Sequence, residues 1–203
     1  MSDKTSEAAP DILLWDVMST LVRDPFHEDM PRFFGCDLHE LIAQLHPTAW
    51  VEFELDKLSE EQFLKSFFAD RRSFDHEAFV RTVRDGYAFL DGIVPLLQSL
   101  NERGLPMHTF SNYPRWYAMI EEELQLSRYL QWSFVSCELG HRKPDLSAYT
   151  EVLRQLDIDG HRCVFIDDRE SNCRAARQAG MRALRFQGVS SLLPHFEAWG
   201  WVP

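Results

Sequence analysis

The chain is poor in the features that mark several large classes of protein. Its 203 residues include only four cysteines, and none of them has the spacing of a CxxC motif or a zinc ligand set. Cys163 lies in an apolar segment, so we expect reduced thiols rather than disulfides. No apolar run is long enough to span a bilayer, and no charged-then-apolar signal peptide is visible. These absences predict a cytoplasmic protein that does not bind a membrane.

Positive charge is also scarce. The chain has 21 Lys and Arg residues against 32 Asp and Glu residues, which gives a formal net charge of −11. Proteins that bind nucleic acids hold the phosphate backbone with clustered Lys and Arg, so this balance argues against nucleic acid as a partner. An anionic ligand would have to be met by local positive charge. Four arginines near the polar motifs described below are candidates for this, although surface salt bridges would explain them equally well: Arg23, Arg115, Arg142 and Arg169.

The chain does contain four apolar segments that each end in polar residues. The first, over residues 12–15, shows no polar alternation and ends at Asp16. Such a run predicts a strand buried on both faces, and open α/β sheets bind ligands at strand ends. Asp16 could equally be the N-cap of a following helix. The later segments end in side chains suited to phosphate chemistry: Ser111 and Asn112 after 107–110, Lys143 after 132–136, and Asp167 with Asp168 after 163–166.

In this order, the four segments resemble the haloacid dehalogenase superfamily, whose motifs are an Asp nucleophile, a Ser or Thr, a Lys and an acidic pair. Each motif alone is weak, but four in order, each after a strand, make the resemblance specific over nearly the whole chain. The expected fold is α/β, a Rossmann-like parallel sheet with helices on both faces and a small helical cap inserted after the first strand.

The spacing of the motifs predicts the domain organisation. Between Asp16 and Ser111 lies far more chain than the roughly a dozen residues that a βαβ crossover needs. We predict an α/β core domain over 1–22 and 87–203, and a helical cap domain over 23–86. The interval from Asn112 to Lys143 has room for one helix and one strand, so no second cap is expected there. Two capping-box pairs indicate helices in the cap: Asp37 with Glu40, and Ser59 with Gln62.

Three further expectations concern local structure. Residues 93–100 form an amphipathic helix that ends near Gly104, the position of a C-cap glycine. An apolar stripe in the cap is expected to form cap core rather than a ligand surface. The polar segment 1–10 is expected to be mobile. The stripe consists of Leu55, Leu58, Phe63, Phe67 and Phe68.

The residue types themselves favour phosphoryl transfer. A carboxylate such as Asp16, attacking phosphorus, would form an aspartyl-phosphate and divide hydrolysis into two easier steps. Mg²⁺ prefers oxygen ligands, which Asp16 and Asp168 could supply, so Mg²⁺ is the expected cofactor. Asp167 and Asp168 would repel one another without a cation nearby, so the pair indicates a metal or a lysine partner. The alternative is that the pair forms an exposed acidic turn. The expected phosphate-binding residues are Thr20, Ser111, Asn112 and Lys143.

The resemblance to the superfamily adds roles to this set. It implies that the backbone carbonyl of Met18 is a further metal ligand. It also implies that Asp168 binds the metal directly, while Asp167 holds waters or Lys143.

Met18 stands where phosphatases of this superfamily carry a second Asp, the general acid and base. A thioether cannot transfer a proton. Such catalysis contributes about 10²- to 10⁴-fold, whereas enzymes accelerate reactions by at least about 10⁶-fold, so hydrolysis remains feasible without it. A water, a substrate group or a cap residue could replace the acid. The cap residues considered are Asp24, His27 and Glu28.

Met18 also keeps other functions open. A catalytically impaired phosphometabolite-binding protein would retain the rest of the site. Haloacid dehalogenases lack the second Asp as well, but they need no metal and replace the acidic pair that Asp167 and Asp168 form here. Phosphonatases use a cap lysine, for which Lys57 and Lys65 are available.

Within the superfamily, several short segments resemble the plant chloroplast flavin mononucleotide hydrolases. They are 16–18 (Asp-Val-Met), 23–26 (Arg-Asp-Pro-Phe), 33–35 (Phe-Phe-Gly) and 112–117. The resemblance implies a small phosphorylated metabolite as partner, with FMN (flavin mononucleotide) favoured, and activity despite Met18. The chain shows no Arg- and Ser-rich leader, so the chloroplast location is not expected. A flavin could stack on Tyr113 or Trp116 near Arg115, although these rings could pack the cap interface instead. A monomer or a homodimer is expected.

Overall fold

A computed structural model describes residues 9–202 of the chain. Most of the segment 1–10, expected to be mobile, lies outside the described residues. The strands are β1 (Ile12–Trp15), β2 (Met107–Ser111), β3 (Gln131–Val135), β4 (Cys163–Asp167) and β5 (Arg182–Arg185). The helices of the first half are α1 (Asp29–Phe34), α2 (Leu38–Gln44), α3 (Ala49–Glu54), α4 (Glu60–Lys65), α5 (His76–Asp85) and α6 (Ile93–Glu102). Those of the second half are α7 (Tyr117–Leu124), α8 (Ser136–Leu139), α9 (Leu146–Leu156), α10 (Glu170–Gln178) and α11 (Leu193–Ala198).

The five strands form one parallel sheet in the order β3-β2-β1-β4-β5, with β1 at its centre. In register, Leu14 of β1 lies beside His108 of β2 on one side and Phe165 of β4 on the other. The chain builds the β2 and β3 side first and then crosses to β4, so the strand order reverses next to β1. Open α/β sheets bind ligands at the carboxyl ends of the strands at such a point. The expected α/β fold is confirmed.

Helices cover both faces of this sheet, as expected. Leu13 and Trp15 of β1 are fully buried in one hydrophobic cluster, which also includes residues of α6, α7 and α11. Leu14, between them in sequence, belongs to a second cluster with residues of α9 and α10. Because successive strand side chains point to opposite faces, an uninterrupted apolar strand can serve both cores.

Helices α1 to α5 all lie between β1 and α6, in the segment predicted to be a cap. Both expected capping boxes are present: the Asp37 side chain accepts from the backbone of Glu40, and Ser59 accepts from Gln62. Their interior is aromatic, and Phe34 packs on Phe67 and Phe68. The division into two domains stays a proposal.

Some elements differ from the expectation in detail. The interval between Asn112 and Lys143 holds α7 and β3, as predicted, but also the one-turn helix α8, which ends at Gly140 with a φ of 72°. Helix α6 extends to Glu102 and is followed by Gly104 with a φ of 71°. No helix among residues 9–202 is long and apolar enough to cross a membrane, and the four cysteines are free thiols.

Candidate active site

The turn after β1 presents Asp16 at the carboxyl edge of the sheet. The backbone carbonyl of Val17 accepts hydrogen bonds from the amides of Leu21 and Val22, each at 2.9 Å, so the chain folds back on itself at once. Ser19 takes the left-handed conformation within this tight turn, with a φ of 60°. Asp16 is 7% exposed, and it precedes a turn rather than capping a regular helix. The interpretation of Asp16 as a helix N-cap is therefore wrong.

Lys143 connects the ends of three strands through its ammonium group. Its Nζ atom donates to Asp16 Oδ1 at 2.8 Å, to Asp167 Oδ2 at 2.7 Å and to the backbone oxygen of Phe110 at 2.7 Å. The Lys143 side chain is 1% exposed. A buried ammonium needs such partners, because an unpaired buried charge is strongly destabilising. Lys143 is therefore not a solvated surface lysine.

The two acids after β4 differ in what they contact. Both oxygens of Asp167 are occupied, since Oδ2 accepts from Lys143 and Oδ1 accepts from the amide of Arg169 at 2.8 Å. The Asn172 amide also donates to both oxygens, at 2.9 and 3.0 Å. Asp168 is half-buried, and its carboxylate interacts with its own backbone amide but makes no hydrogen bond or ion pair with another side chain among residues 9–202. Asp168 is therefore available to an external ligand, whereas Asp167 positions Lys143.

The predicted phosphate-binding residues lie around this centre with different degrees of freedom. Thr20 Oγ1 donates to Asp16 Oδ2 at 3.3 Å. The Ser111 hydroxyl is buried and has no hydrogen-bond partner among residues 9–202. Asn112 is already engaged, because its side chain both donates to and accepts from the backbone of Lys143, each at 2.8 Å. Ser111 thus has an unused hydrogen-bond donor, and Asn112 holds the backbone of the loop that carries Lys143.

Burial and neighbouring charge raise the pKa of Asp16 to about 7. Burial is the largest cause, Asp167 and Asp168 act in the same direction, and Lys143 opposes them. Burial lowers the pKa of Lys143, but Asp16 and Asp167 outweigh it and raise that pKa overall. One lysine is therefore too little positive charge for three acids, and an added cation would favour ionised Asp16.

The same three acids fit a divalent cation. Carboxylate oxygens of Asp16, Asp167 and Asp168 all lie within 4.8 Å of one another. Hard oxygen ligands of this kind suit Mg²⁺. The excess negative charge and the unused carboxylate of Asp168 are the observations that support a metal at this place.

A cavity of about 440 Å³ lies over this centre, between the sheet edge and helices α1 to α4. Its floor is polar, and its opposite wall is mostly apolar but also carries His46 and Glu54. The floor includes Asp16, Asn112, Lys143 and Asn172. The wall includes Phe26, Met30, Ile42, Leu45, Trp50, Phe63 and Phe67. A site of this size with one charged end and one apolar wall suits a ligand with an anionic group and a large apolar body.

Two arginines enter the cavity, Arg142 and Arg169. Arg142 makes an ion pair with Glu54 at the end of α3, and the Glu54 side chain is only 2% exposed. Burial raises the pKa of Glu54, while Arg142 acts in the opposite direction. This pair connects the sheet edge to the cap segment at the rim of the cavity.

The three predicted substrate contacts are placed differently from one another. Tyr113 lines the cavity and bonds through its hydroxyl to Tyr87 at 2.9 Å, whereas Arg115 and Trp116 are absent from the lining. Arg115 binds Asp56 through two hydrogen bonds of 2.8 and 2.7 Å. Trp116 is 3% exposed and packs on Phe53 and Phe63. The last two thus occupy the cap interface.

The residues considered as a replacement acid or as a cap lysine are also separated. Asp24 lines the cavity, and His27 and Glu28 do not. Lys57 and Lys65 are exposed and lie outside the lining. Neither lysine therefore reaches the cavity.

The sequence did not single out most of the cavity wall. Trp50, Glu54 and Ile42 line it, and Phe63 and Phe67 line it while also packing in the cap interior. Their helical spacing is the same for a core residue and for a cavity residue, so periodicity cannot separate the two. Phe63 and Phe67 belong to the cap core, as expected, and they also line the cavity.

Comparison with known proteins now places the chain in a class. Residues 11–180 match the model of the haloacid dehalogenase-like hydrolases. The chain belongs to this family of hydrolases. The expected enzyme class, a haloacid dehalogenase-like phosphatase, is thereby confirmed.

Two relatives carry the comparison further. The chain is 46% identical over 181 residues to the chloroplast flavin mononucleotide hydrolase 1 of Arabidopsis thaliana, covering 89% of this chain and 74% of that protein. It is 30% identical over 108 residues to phosphoglycolate phosphatase 1 of Pseudomonas aeruginosa, which covers 51% of this chain and 40% of that protein. The resemblance to flavin mononucleotide hydrolases thus extends over most of the chain.

A solved structure shares the fold. It is a haloacid dehalogenase family enzyme from Bacteroides thetaiotaomicron in complex with magnesium and inorganic phosphate. The TM-score is 0.67 at 16% sequence identity, and the match covers 89% of this chain and 96% of the other.

Proposed function

We propose that this protein is a magnesium-dependent phosphatase that hydrolyses FMN through an aspartyl-phosphate on Asp16. The observation that carries the proposal is the buried centre in which Lys143 contacts Asp16 and Asp167 below an apolar-walled cavity. The 46% identity to the Arabidopsis thaliana FMN hydrolase supports the substrate. A partly aromatic wall supports it too, because a flavin is planar and apolar on its faces.

The residues of the chain divide the chemistry between them. A carboxylate oxygen of Asp16 attacks phosphorus, and the bond from phosphorus to the bridging oxygen breaks. Riboflavin leaves with that oxygen, which takes a proton from water or from a cap side chain. Lys143 offsets negative charge on the phosphoryl oxygens, while Thr20 and the unpartnered hydroxyl of Ser111 donate hydrogen bonds to them. Water then attacks phosphorus, which releases phosphate and restores Asp16.

Mg²⁺ would be held by Asp16, Asp168 and the backbone carbonyl of Met18. When bound, it supplies positive charge that stabilises the developing negative charge on phosphorus-bound oxygens. In this proposal Asp167 acts through Lys143 rather than on the substrate, because its oxygens are already occupied. The residues 23–86 act as the cap that covers the reaction.

The first test is phosphate release from a panel of substrates: FMN, a sugar phosphate, a small alkyl phosphate and an aryl phosphate. We expect the highest kcat/KM for FMN, and we expect chelation by EDTA to abolish release and added Mg²⁺ to restore it. Release unaffected by chelation would contradict the metal dependence. Binding of FMN without release would favour the phosphometabolite-binding alternative that Met18 keeps open. Chloride release from a 2-haloacid would favour the dehalogenase.

Trp50 offers a second test, specific to the flavin. Trp50→Leu keeps apolar volume in the wall but removes the aromatic face, which contributes about 0.5–1.5 kcal/mol in aromatic pairs. We expect KM for FMN to rise by roughly 3- to 10-fold, with KM for a small alkyl phosphate unchanged. Trp132→Leu, on β3 and away from the cavity, is the matched control. An equal change in KM for both substrates in Trp50→Leu would show that the aromatic wall does not contact the flavin ring.

Cytoplasmic location and a monomeric or homodimeric state stay predictions. The Arabidopsis thaliana relative is named as a chloroplast protein.

A further inference from the structure

Asp24 lines the same cavity as Met18, the position from which the usual acid is missing. Val22 pairs with Met18 in an isolated bridge, and the amide of Arg23 donates to the backbone of Ala88 at 2.8 Å. These bonds hold the chain against the turn that follows the nucleophile. The next residue, Asp24, lines the same cavity as Met18. Asp24 thus supplies a carboxylate to the cavity in which Met18 replaces the usual acid.

The Asp24 carboxyl is oriented on one side and free on the other. Its Oδ1 accepts from the amide of Phe26 at 3.0 Å, which fixes the plane of the group. Its Oδ2 accepts no hydrogen bond from residues 9–202, and His27 Nε2 lies 3.9 Å away. The side chain is 16% exposed. One oxygen can therefore carry a proton toward the cavity while the other remains anchored.

The surroundings of Asp24 raise the pKa of its carboxyl. Burial raises its pKa, and the Phe26 amide, His27, Arg169 and Arg23 oppose that effect without cancelling it. The hydroxyls of Tyr87 and Tyr113, which come from segments outside the nucleophile turn, also interact electrostatically with the Asp24 carboxyl. Raising the pKa of a carboxyl moves it toward the range in which a side chain can both give and take a proton.

Other titratable groups fit this role less well. The side chains of His27 and Glu28 are 50% and 67% exposed, and neither lines the cavity. Glu54 lines it but is paired with Arg142. His46 also lines it, from the loop between α2 and α3, and its Nδ1 lies 3.4 Å from the Thr48 amide. His46 is on the cap side, whereas Asp24 follows the nucleophile turn directly.

We propose that Asp24 is the general acid and base of this enzyme in place of the residue that Met18 replaces. The inference rests on the proposed phosphatase function. As the bond between phosphorus and the flavin oxygen breaks and the bond to Asp16 forms, Asp24 gives its proton to the departing oxygen. Water then attacks the aspartyl-phosphate, and the Asp24 carboxylate takes the proton that the water loses. The cycle ends with phosphate, free Asp16 and protonated Asp24.

The test compares leaving groups in Asp24→Asn, which keeps the Oδ1 acceptor for Phe26. The riboflavin alkoxide released from FMN leaves poorly without a proton, whereas a nitrophenolate leaves readily. We expect kcat/KM for FMN to fall by about 10²- to 10⁴-fold. With nitrophenyl phosphate, we expect a rapid burst of one nitrophenolate per active site followed by slow turnover, because only the water step then needs the base.

Glu28→Gln is the matched control and is expected to behave as wild type. If the wild-type enzyme hydrolyses FMN, two results for Asp24→Asn would overturn the role of Asp24 without affecting the proposed function. One is unchanged turnover of FMN, and the other is a nitrophenolate burst slowed by the same factor as FMN turnover. The burst signature appearing in His46→Gln instead would also overturn it. No phosphate release by the wild-type enzyme from any substrate would overturn the proposed function, and this role with it.

The pH profile of the wild-type enzyme gives a second measurement that does not depend on folding of the variant. Protonated Asp24 is needed for FMN, so kcat/KM for FMN should fall as the pH rises through the pKa of Asp24. The burst rate with nitrophenyl phosphate should lack this alkaline limb. The same limb in both substrates would contradict proton donation by Asp24.

Discussion

Asp16→Asn is expected to remove phosphatase activity while the protein stays folded. The amide keeps the shape of the side chain but cannot form the acyl phosphate, so kcat for FMN should fall by on the order of 10⁴-fold or more. Lys143 keeps its contact with Asp167 at 2.7 Å, so its charge stays paired. The melting temperature should therefore stay close to that of wild type.

The covalent step is measured by reacting the enzyme with FMN that carries a labelled phosphate group, quenching with acid and locating the label on the protein. Label should appear on the peptide that contains Asp16 in wild type and be absent from the variant. Asp16→Ala repeats the test without the chance of deamidation. Asp11→Asn, at the other end of β1 and half-exposed, is the matched control and should retain activity. Label on another residue, or normal turnover by either Asp16 variant, would rule out the proposed nucleophile.

Lys143→Met is expected to have the largest effect on stability. It leaves Asp16 and Asp167 buried together without their common cation. Breaking a buried ion pair from one side destabilises a protein by about 3–5 kcal/mol. Activity should be lost as well, because Lys143 is the cation beside the proposed nucleophile. Urea unfolding followed by tryptophan fluorescence measures the change in the free energy of unfolding.

The loss should depend on pH. Without Lys143, the pKa of Asp16 rises further above its unfolded value, since an opposing positive charge has been removed. A group with a raised pKa in the folded state stabilises at low pH and loses that contribution as the pH rises through its folded pKa. The deficit of Lys143→Met relative to wild type should thus grow from about pH 4 toward about pH 8.

Two further variants separate this effect from general damage. Lys57→Met, at an exposed position, should change the free energy of unfolding by less than about 0.5 kcal/mol. Asp16→Asn combined with Lys143→Met should recover part of the lost stability, because one of the two unpaired acids is then neutral. A double variant as unstable as the sum of the single changes would show that repulsion between the acids is not the cause.

The core of the fold was predictable because its strands carry a strong local pattern. The segment 163–166 has no polar residue, which a strand buried on both faces requires, and the structure places it in β4, between β1 and β5. Spacing predicted an insertion before Ser111, and capping boxes predicted two of its helices. The one-turn helix α8 was missed, since four residues are too few for a helical period.

The site was predictable only in part. Strand ends nominated Asp16, Lys143 and Asp167 separately, because parallel strands bring their carboxyl ends to one edge. The different states of Ser111 and Asn112 could not be foreseen, because both follow the same strand and either could donate to a ligand. One is a buried hydroxyl without a partner, and the other holds the loop that carries Lys143.

What the sequence determined by itself was the class of the chain: four apolar segments, their order, the polar residue that ends each one, and Met18 in place of an acid. These are local properties, expressed in neighbouring residues. Only the tertiary structure decided which cap residues face the cavity, that Trp116 is buried in the cap interface, and that Asp24 lines the same cavity as Met18. Those outcomes depend on how distant segments pack, and a helical period of apolar residues is compatible with either face.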